Sequence, residues 1–492
     1  MTRKPNIVLF VPDSYRGDVL GHQENPGAVT PNLDRFVEEG AVSYRNAFAQ
    51  NPVCTPSRCS FMTGLYPHVH GHRSMRNMLK EQEPNLLTVL KREGYRILWS
   101  GKNDLVRVRT KDDYARYCEE KIDPTGQHLE EMHFARPPAL KEDDPRHGVY
   151  YKGVRPRCAS GEEPRWDRDT AWVCSAIDRI DGHTGDDPLC CYIPLTGPHP
   201  AYEVNADAYD AIDPKLLPPS IGEDGTGNPE VLEALRKAYG SEAITEETWR
   251  EIKRIYYGMC TTIDGLFGRV VEALKDRGLY DDTWILFFSD HGDFAGDYGL
   301  PEKTHSTLQD SLLHVPLIVK PPVDVPTAGG SREALTELID ITATLYDCLD
   351  VDPGYAHQGH SLRESLAGDD EEIREAVFAT VGAREGEQAF INRQVELMPP
   401  GSFYVRQSGA TNSHHAAGSH AVTCRTHRHK YVHRAYTGHH ELYDLEKDPG
   451  ELINLSGSTS MAEVQRALRD RLLDHLIRTS DTLPYEADSR SI

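Results

Sequence analysis

Short apolar runs without alternation recur along the chain, each closed by polar or charged residues. Asn6–Val11, Tyr95–Ser100, Leu189–Leu195, Thr283–Ser289 and Val315–Lys320 are of this kind, the pattern of strands buried on both faces of a parallel sheet. Ala41–Ala49 is a further strand-like stretch. Between these runs the spacing turns helical, over Pro31–Glu39 with a closing Gly40, over Leu86–Arg92 stopped by Gly94, and over Asp169–Ile180. The longest helix is predicted from Thr245, with Glu246 and Glu247 in its first turn, to about Arg277. Its Trp249, Ile252, Tyr256, Met259, Ile263, Phe267, Val270 and Leu274 recur at three and four residues and read as a core face. Glu333–Leu349 reads as another helix. Residues 105–165, charged and Pro-rich, and 201–245, loop-rich, are expected to be insertions that shape a pocket. Past residue 385 the pattern changes to short strand-like pieces (Ala421–Arg425, Lys430–His433, Glu441–Tyr443) and a helix over Met461–Ile477. A catalytic α/β domain over 1–385 and a C-terminal α+β unit over 386–492 are therefore expected.

Length and charge narrow the function. At 492 residues the chain exceeds one ordinary domain. A formal charge of −23 argues against a nucleic-acid backbone as partner. It leaves room for an anionic substrate, because a local cluster of Lys, Arg, His and metal can reverse the field inside one pocket. Ten cysteines are spread without repeated spacing and without a C-x-x-C pair, so neither a zinc ribbon nor a redox motif is indicated. The opening MTRKPNIVLFVPDS is too short an apolar run for a signal peptide, and no stretch approaches a membrane span. A cytoplasmic, reduced protein is the expectation, with secretion behind a removed leader left open.

Chemistry concentrates where apolar runs end. Residues 51–73 read NPVCTPSRCSFMTGLYPHVHGHR. A short helix over Ser57–Gly64 puts Cys54 at a helix N-terminus, where free N–H groups and the dipole favour negative charge, with Arg58 one turn on. The first strand ends in Asp13-Ser14, the Tyr95–Ser100 strand in Gly101-Lys102-Asn103-Asp104, and the Leu189–Leu195 strand in a loop carrying His199. The Thr283–Ser289 strand ends in Asp290-His291, a hard oxygen beside a borderline nitrogen that can face one cation. Taken singly, these residues also suit a buried cysteine, a turn-capping acid and a solvated lysine.

Taken together they resemble the sulfatase family. Cys54-Thr55-Pro56-Ser57-Arg58 matches its C-x-P-S-R signature, and Thr63-Gly64-Leu65-Tyr66-Pro67 the segment that follows. Gly296-Asp297-Tyr298-Gly299-Leu300 leads to Lys303 at that family's spacing, and Glu441–Glu451 resembles its C-terminal unit. The resemblance covers most of the chain, with gaps at 105–165 and 386–419. It implies an alkaline-phosphatase-like fold: a large mixed, mostly parallel sheet flanked by helices on both faces, then a smaller antiparallel sheet plus helix. It also implies hydrolysis of a sulfate monoester on a sulfated carbohydrate or aryl compound. The nucleophile would be a formylglycine made from Cys54 by a formylglycine-generating enzyme. Asp13, Cys54, Asp290 and His291 would hold a divalent metal, calcium first, with magnesium or manganese as alternatives. Lys102, His199 and Lys303 would bind sulfate, and Arg58 would orient the nucleophile. Two positions depart from the family pattern: Ser14 replaces a frequent second acid, and Asp104 replaces a histidine. A phosphonate monoester or phosphodiester hydrolase of the same superfamily, which shares the fold, the metal site and often the modified cysteine, is the alternative; behind it, the two departures keep open an inactive sulfated-glycan binder. His305 is a further polar candidate, and the sequence does not specify the oligomeric state.

Overall fold

The computed structural model describes residues 4–123, 137, 139–141, 143–156, 167–226, 230–369, 372–382, 420–435 and 438–481. Its strands are β1 (Asn6–Asp13), β2 (Val42–Phe48), β3 (Arg96–Ser100), β4 (Glu120–Ile122), β5 (Tyr151–Arg155), β6 (Leu189–Pro198) and β7 (Tyr202–Asn205). Then come β8 (Thr283–Phe288), β9 (Leu317–Lys320), β10 (Gly330–Glu337), β11 (Val377–Val381), β12 (Ala421–Arg425), β13 (His429–Arg434) and β14 (Glu441–Asp444).

Among the described residues an eight-stranded sheet runs β10-β2-β9-β8-β1-β6-β3-β4. Within it β9 alone is antiparallel to its neighbours, β2 and β8. At its centre β8, β1, β6 and β3 pair in parallel. Every residue of β1 and β8 is buried, because successive side chains enter different cores. Val8 and Phe10 face the Glu246–Asp276 helix, where the Phe10 ring meets Phe267 edge-on at 5.4 Å. Ile7, Leu9 and Val11 face the opposite core, which includes Phe61, Leu87 and Ile341 from three further helices. The eight apolar residues predicted as the core stripe of the long helix are all buried.

Two expectations change. Residues 333–337, read as the start of a helix, belong to β10, which pairs in parallel with β2 from Gly330↔Val42 to Glu337↔Phe48. The helix begins only at Ile339. Pairing at the sheet edge overrides a local composition that suits a helix. The stretch 201–245, read as loop-rich, holds β7, which pairs with β5, and helices at Ala206–Ala211 and Glu230–Tyr239. The first helix is set by Asn205, whose side chain accepts from Ala208 N at 2.8 Å.

The smaller sheet is antiparallel, β11-β12-β13-β14. The Ala462–Thr479 helix packs Leu468 and Leu472 against Cys424, Tyr431 and Leu442. The boundary expected at 385/386 and the gap at 386–419 lie outside the described residues, and β11 already joins the smaller sheet upstream of them. Parts of the 105–165 insertion, at 124–136, 138, 142 and 157–165, also lie outside them. Among the described residues no helix is long and apolar enough to cross a membrane.

Candidate active site

Parallel pairing of β8, β1, β6 and β3 brings four strand ends to one edge of the sheet, the edge at which open α/β sheets place ligands. Asp13 is the last residue of β1, and Asp290 and His291 follow β8. His199 follows β6, and Lys102 lies two residues beyond β3. Ser14, at φ 68°, turns the chain sharply after Asp13. Its hydroxyl donates to Asp13 Oδ1 at 2.9 Å and its N–H to Asp290 Oδ1 at 3.3 Å. The residue standing where a second acid often occurs thus ties the two carboxylates together.

Cys54 is the first residue of the Cys54–Thr63 helix, all of whose residues are buried. Asn51 Oδ1 accepts from Val53 N at 3.0 Å, fixing the approach, and Gly64 at φ 69° ends the helix. The Cys54 Sγ lies 3.2 Å from His291 Nε2. Ser57, in the same turn, donates to the Asp290 carbonyl at 2.5 Å. Arg58, fully buried, spans the carboxylates: its Nη2 is 2.8 Å from Asp290 Oδ2 and 3.2 Å from Asp13 Oδ2. Lys102 Nζ pairs with Asp13, and with Asp104 at 2.6 Å. Lys303 Nζ lies 2.5 Å from His199 Nε2, while His199 Nδ1 faces the Pro200 carbonyl at 2.5 Å.

All eight candidate residues therefore lie close together, His199 and Lys303 near enough to act electrostatically on Asp13 and Cys54. Single donor atoms of Asp13, Cys54, Asp290 and His291 lie within 4.8 Å of one another. His291 Nδ1 faces the Gly292 carbonyl at 2.7 Å, so a proton there leaves the Nε2 lone pair directed at the cluster. Two buried carboxylates and an oriented imidazole make a donor set that fits a divalent cation.

The electrostatics follow from burial. Burial opposes ionisation of Asp13, but Lys102, His199, His291 and Arg58 together hold its carboxyl well below the usual range. Burial and the charge of Asp13 push Asp290 up despite Arg58. Burial, reinforced by Asp13, pushes the Cys54 thiol well up, outweighing Lys102 and Lys303. Unmodified, that thiol stays protonated at neutral pH and is a poor nucleophile. Burial and Lys303 bring His199 down to about 4, a neutral imidazole. His305 also falls to about 4, by burial and then the nearby charges of Lys303 and His291.

Some supporting residues carry no signal in the sequence. Asp169 accepts from Thr196 N at 2.8 Å and Gly197 N at 2.6 Å and so fixes the His199 loop. Glu302 lies 3.5 Å from Lys303 Nζ and accepts from Tyr150 at 2.6 Å. Tyr192, opposite Arg58 Nη1 at 3.4 Å, is hidden inside an apolar strand.

The family model described as Sulfatase matches residues 5–351. One described as N-sulphoglucosamine sulphohydrolase, C-terminal, matches residues 406–478. An arylsulfatase of Clostridium perfringens is 25% identical over 96% of this chain and 94% of its own. The structure of the phosphonate monoester hydrolase of Agrobacterium radiobacter superposes with a TM-score of 0.76 at 24% identity, covering 97% of this chain and 96% of that one. A structure solved in complex with its substrate D-glucosamine-2-N,6-O-disulfate gives 0.72 at 18% identity, covering 99% and 100%.

Proposed function

The chain belongs to the sulfatase family, and from that premise we propose that the cavity at the ends of β8, β1, β6 and β3 is its active centre, with Cys54 as the precursor of the nucleophile. Membership makes the protein a sulfuric ester hydrolase. The substrate proposed is a sulfate monoester of a carbohydrate or an aryl alcohol, in keeping with the arylsulfatase relative and the glucosamine disulfate held by one structural neighbour. One observation carries the reading most: the Cys54 Sγ lies 3.2 Å from His291 Nε2, with both carboxylates alongside.

Cys54 is proposed to be oxidised to formylglycine by a maturation enzyme. One hydroxyl of the hydrated aldehyde attacks sulfur as the ester S–O bond breaks and the alcohol leaves with a proton; deprotonation of the second hydroxyl then collapses the sulfated hydrate to the aldehyde and expels sulfate. Asp13, Asp290, His291 and residue 54 would hold a divalent cation, calcium in this proposal, which supplies Lewis acidity toward the attacking hydroxyl and the sulfate oxygens. The chain's own groups do the rest. Arg58 holds Asp13 and Asp290 at fixed separation. Lys102 and Lys303 present ammonium groups to the sulfuryl oxygens, where charge shifts in the transition state. Neutral His199, its Nδ1 proton held by the Pro200 carbonyl, accepts from Lys303 and fixes the direction of that ammonium. Cys54→Ala is expected to fold normally, by circular dichroism and melting, and to release no sulfate from nitrophenyl sulfate above background. Near-normal turnover in that variant would remove Cys54 from the mechanism.

Asp104 gives specific support to a second reading, phosphonate or phosphodiester hydrolysis. Its carboxylate neutralises Lys102 at 2.6 Å, and a less cationic pocket discriminates differently among anionic esters. Turnover of nitrophenyl sulfate against phenyl phosphonate separates the two. Asp104→His is expected to raise the sulfate-to-phosphonate ratio, and an unchanged ratio would show that position 104 does not set selectivity.

A further inference from the structure

Behind the Cys54 helix lies a second convergence of ligating side chains that the catalytic reading does not use. His70 ends the Pro67–His70 turn, Gly71 at φ 79° redirects the chain, and His72 follows. Glu83 approaches from the other end of the same loop, two residues before Asn85, the N-cap of the Leu86–Arg92 helix. His70 Nδ1 lies 3.2 Å from Glu83 Oε1 and His72 Nε2 lies 3.2 Å from Oε2. One donor atom from each residue falls within 4.8 Å of the others. Both nitrogens are buried, and each faces one oxygen of the same carboxylate.

The surroundings suit a metal. His72 Nδ1 faces the Asn77 carbonyl at 2.5 Å, the contact that in metal sites fixes the tautomer and turns the other ring nitrogen toward the ion. Glu83 Oε2 accepts from Lys80 N at 2.7 Å, holding the carboxylate in place. His72 and Glu83 are buried and His70 is partly exposed. Two imidazole nitrogens with one carboxylate oxygen are the ligands of a borderline cation, and calcium or magnesium would ask for more oxygens.

We propose that His70, His72 and Glu83 form a zinc site, separate from the catalytic cluster, that clamps the 70–83 loop. The loop is stitched to the segment beyond Lys102 and Asp104 by Leu79 N to Leu105 O at 2.9 Å and Arg107 N to Leu79 O at 3.3 Å. A cation there would cross-link the wall behind Lys102. The competing arrangement is an ion pair without metal. In it His72 is an imidazolium, where burial lowers its pKa but Cys59 and Glu83 push it up to about 10.

The full-length protein, stripped with chelator and then saturated with calcium to occupy the hard-ligand site, would be titrated with zinc against a chromophoric chelator. One equivalent of zinc held at micromolar or tighter affinity, with a rise in melting temperature, is the expected result. His70→Ala and Glu83→Gln should each weaken that equivalent by at least about tenfold, since even an outer-shell change costs that much. Cys54→Ala should keep it. No tightly held zinc in the wild type overturns the proposal. So does zinc retained unchanged in His70→Ala and Glu83→Gln, or zinc lost in Cys54→Ala, which would place the ion in the catalytic cluster. If Glu83→Gln does not fold, the partly exposed His70→Ala decides.

Discussion

Arg58 bridges two buried carboxylates, Asp290 and Asp13, of which Asp13 also pairs with Lys102. Removing one member of a buried ionic cluster leaves uncompensated charge and costs about 3–5 kcal/mol. Arg58→Met, similar in volume, should therefore lower stability by about that amount in urea denaturation at pH 7. Calcium should recover more stability in the variant than in the wild type, because the same carboxylates would then face a cation. Equal calcium stabilisation in the two proteins would mean that Asp13 and Asp290 do not share an ion. Residues of this kind were legible one at a time. Cys54 and Arg58 stand in a contiguous signature, and Asp13, Lys102 and Asp290 follow apolar runs at once. Asp169, Tyr192 and Glu302 were not legible: each acts through a partner far off in sequence, and nothing local distinguishes an acid that accepts two loop amides from one that caps a turn.

The strands do the positioning, and the closest tolerance falls where β3 ends. Gly101, at φ 150°, passes so near β6 that a Cβ would stand 2.1 Å from the Pro194 carbonyl oxygen. Lys102 N donates to that same carbonyl at 2.9 Å, so the glycine sets where the lysine leaves the sheet. Gly101→Ala must move β3, β6 or the Lys102 loop. A loss of about 1–3 kcal/mol is expected from overpacking, together with a fall in sulfate turnover larger than the fall in folded fraction. Wild-type turnover in a folded Gly101→Ala protein would show that the loop tolerates displacement. Central strands were readable because burial on both faces makes them uniformly apolar. The edge strand β10 was not: its inner residues alternate with exposed ones such as Ser331 and Glu333, and the run of Arg, Glu, Ala and Leu mimics a helix. The β5–β7 pair was hidden because short two-stranded elements leave little pattern.

At the scale of the whole molecule, the smaller sheet braces the approach to Cys54. Thr380 in β11 donates its N–H to the Gln50 carbonyl at 2.9 Å and accepts from Asn51 Nδ2 at 2.6 Å, just before the Cys54 helix. Glu337, at the end of β10, joins the parts. It accepts from Phe378 N of β11 at 2.7 Å and from the hydroxyl of Tyr66, beyond the helix, at 2.6 Å. Burial, aided by Asp340 and opposed chiefly by Arg374, raises its pKa to about 7. Below the ordinary carboxylate range the folded and unfolded chains both carry the proton, so Glu337 adds no pH dependence there. Between that range and about 7 the folded chain keeps a proton that the unfolded chain has released. Its contribution therefore falls as pH rises, by up to about 1.4 kcal/mol per pH unit, and levels off above the folded value. Glu337→Gln stays neutral throughout and should lose this slope. Urea denaturation at pH 5 and pH 8 would then show the variant gaining on the wild type at the higher pH. A gap that stays constant between the two pH values would mean that Glu337 is ionised in the folded protein across the range, with Arg374 as its charge partner.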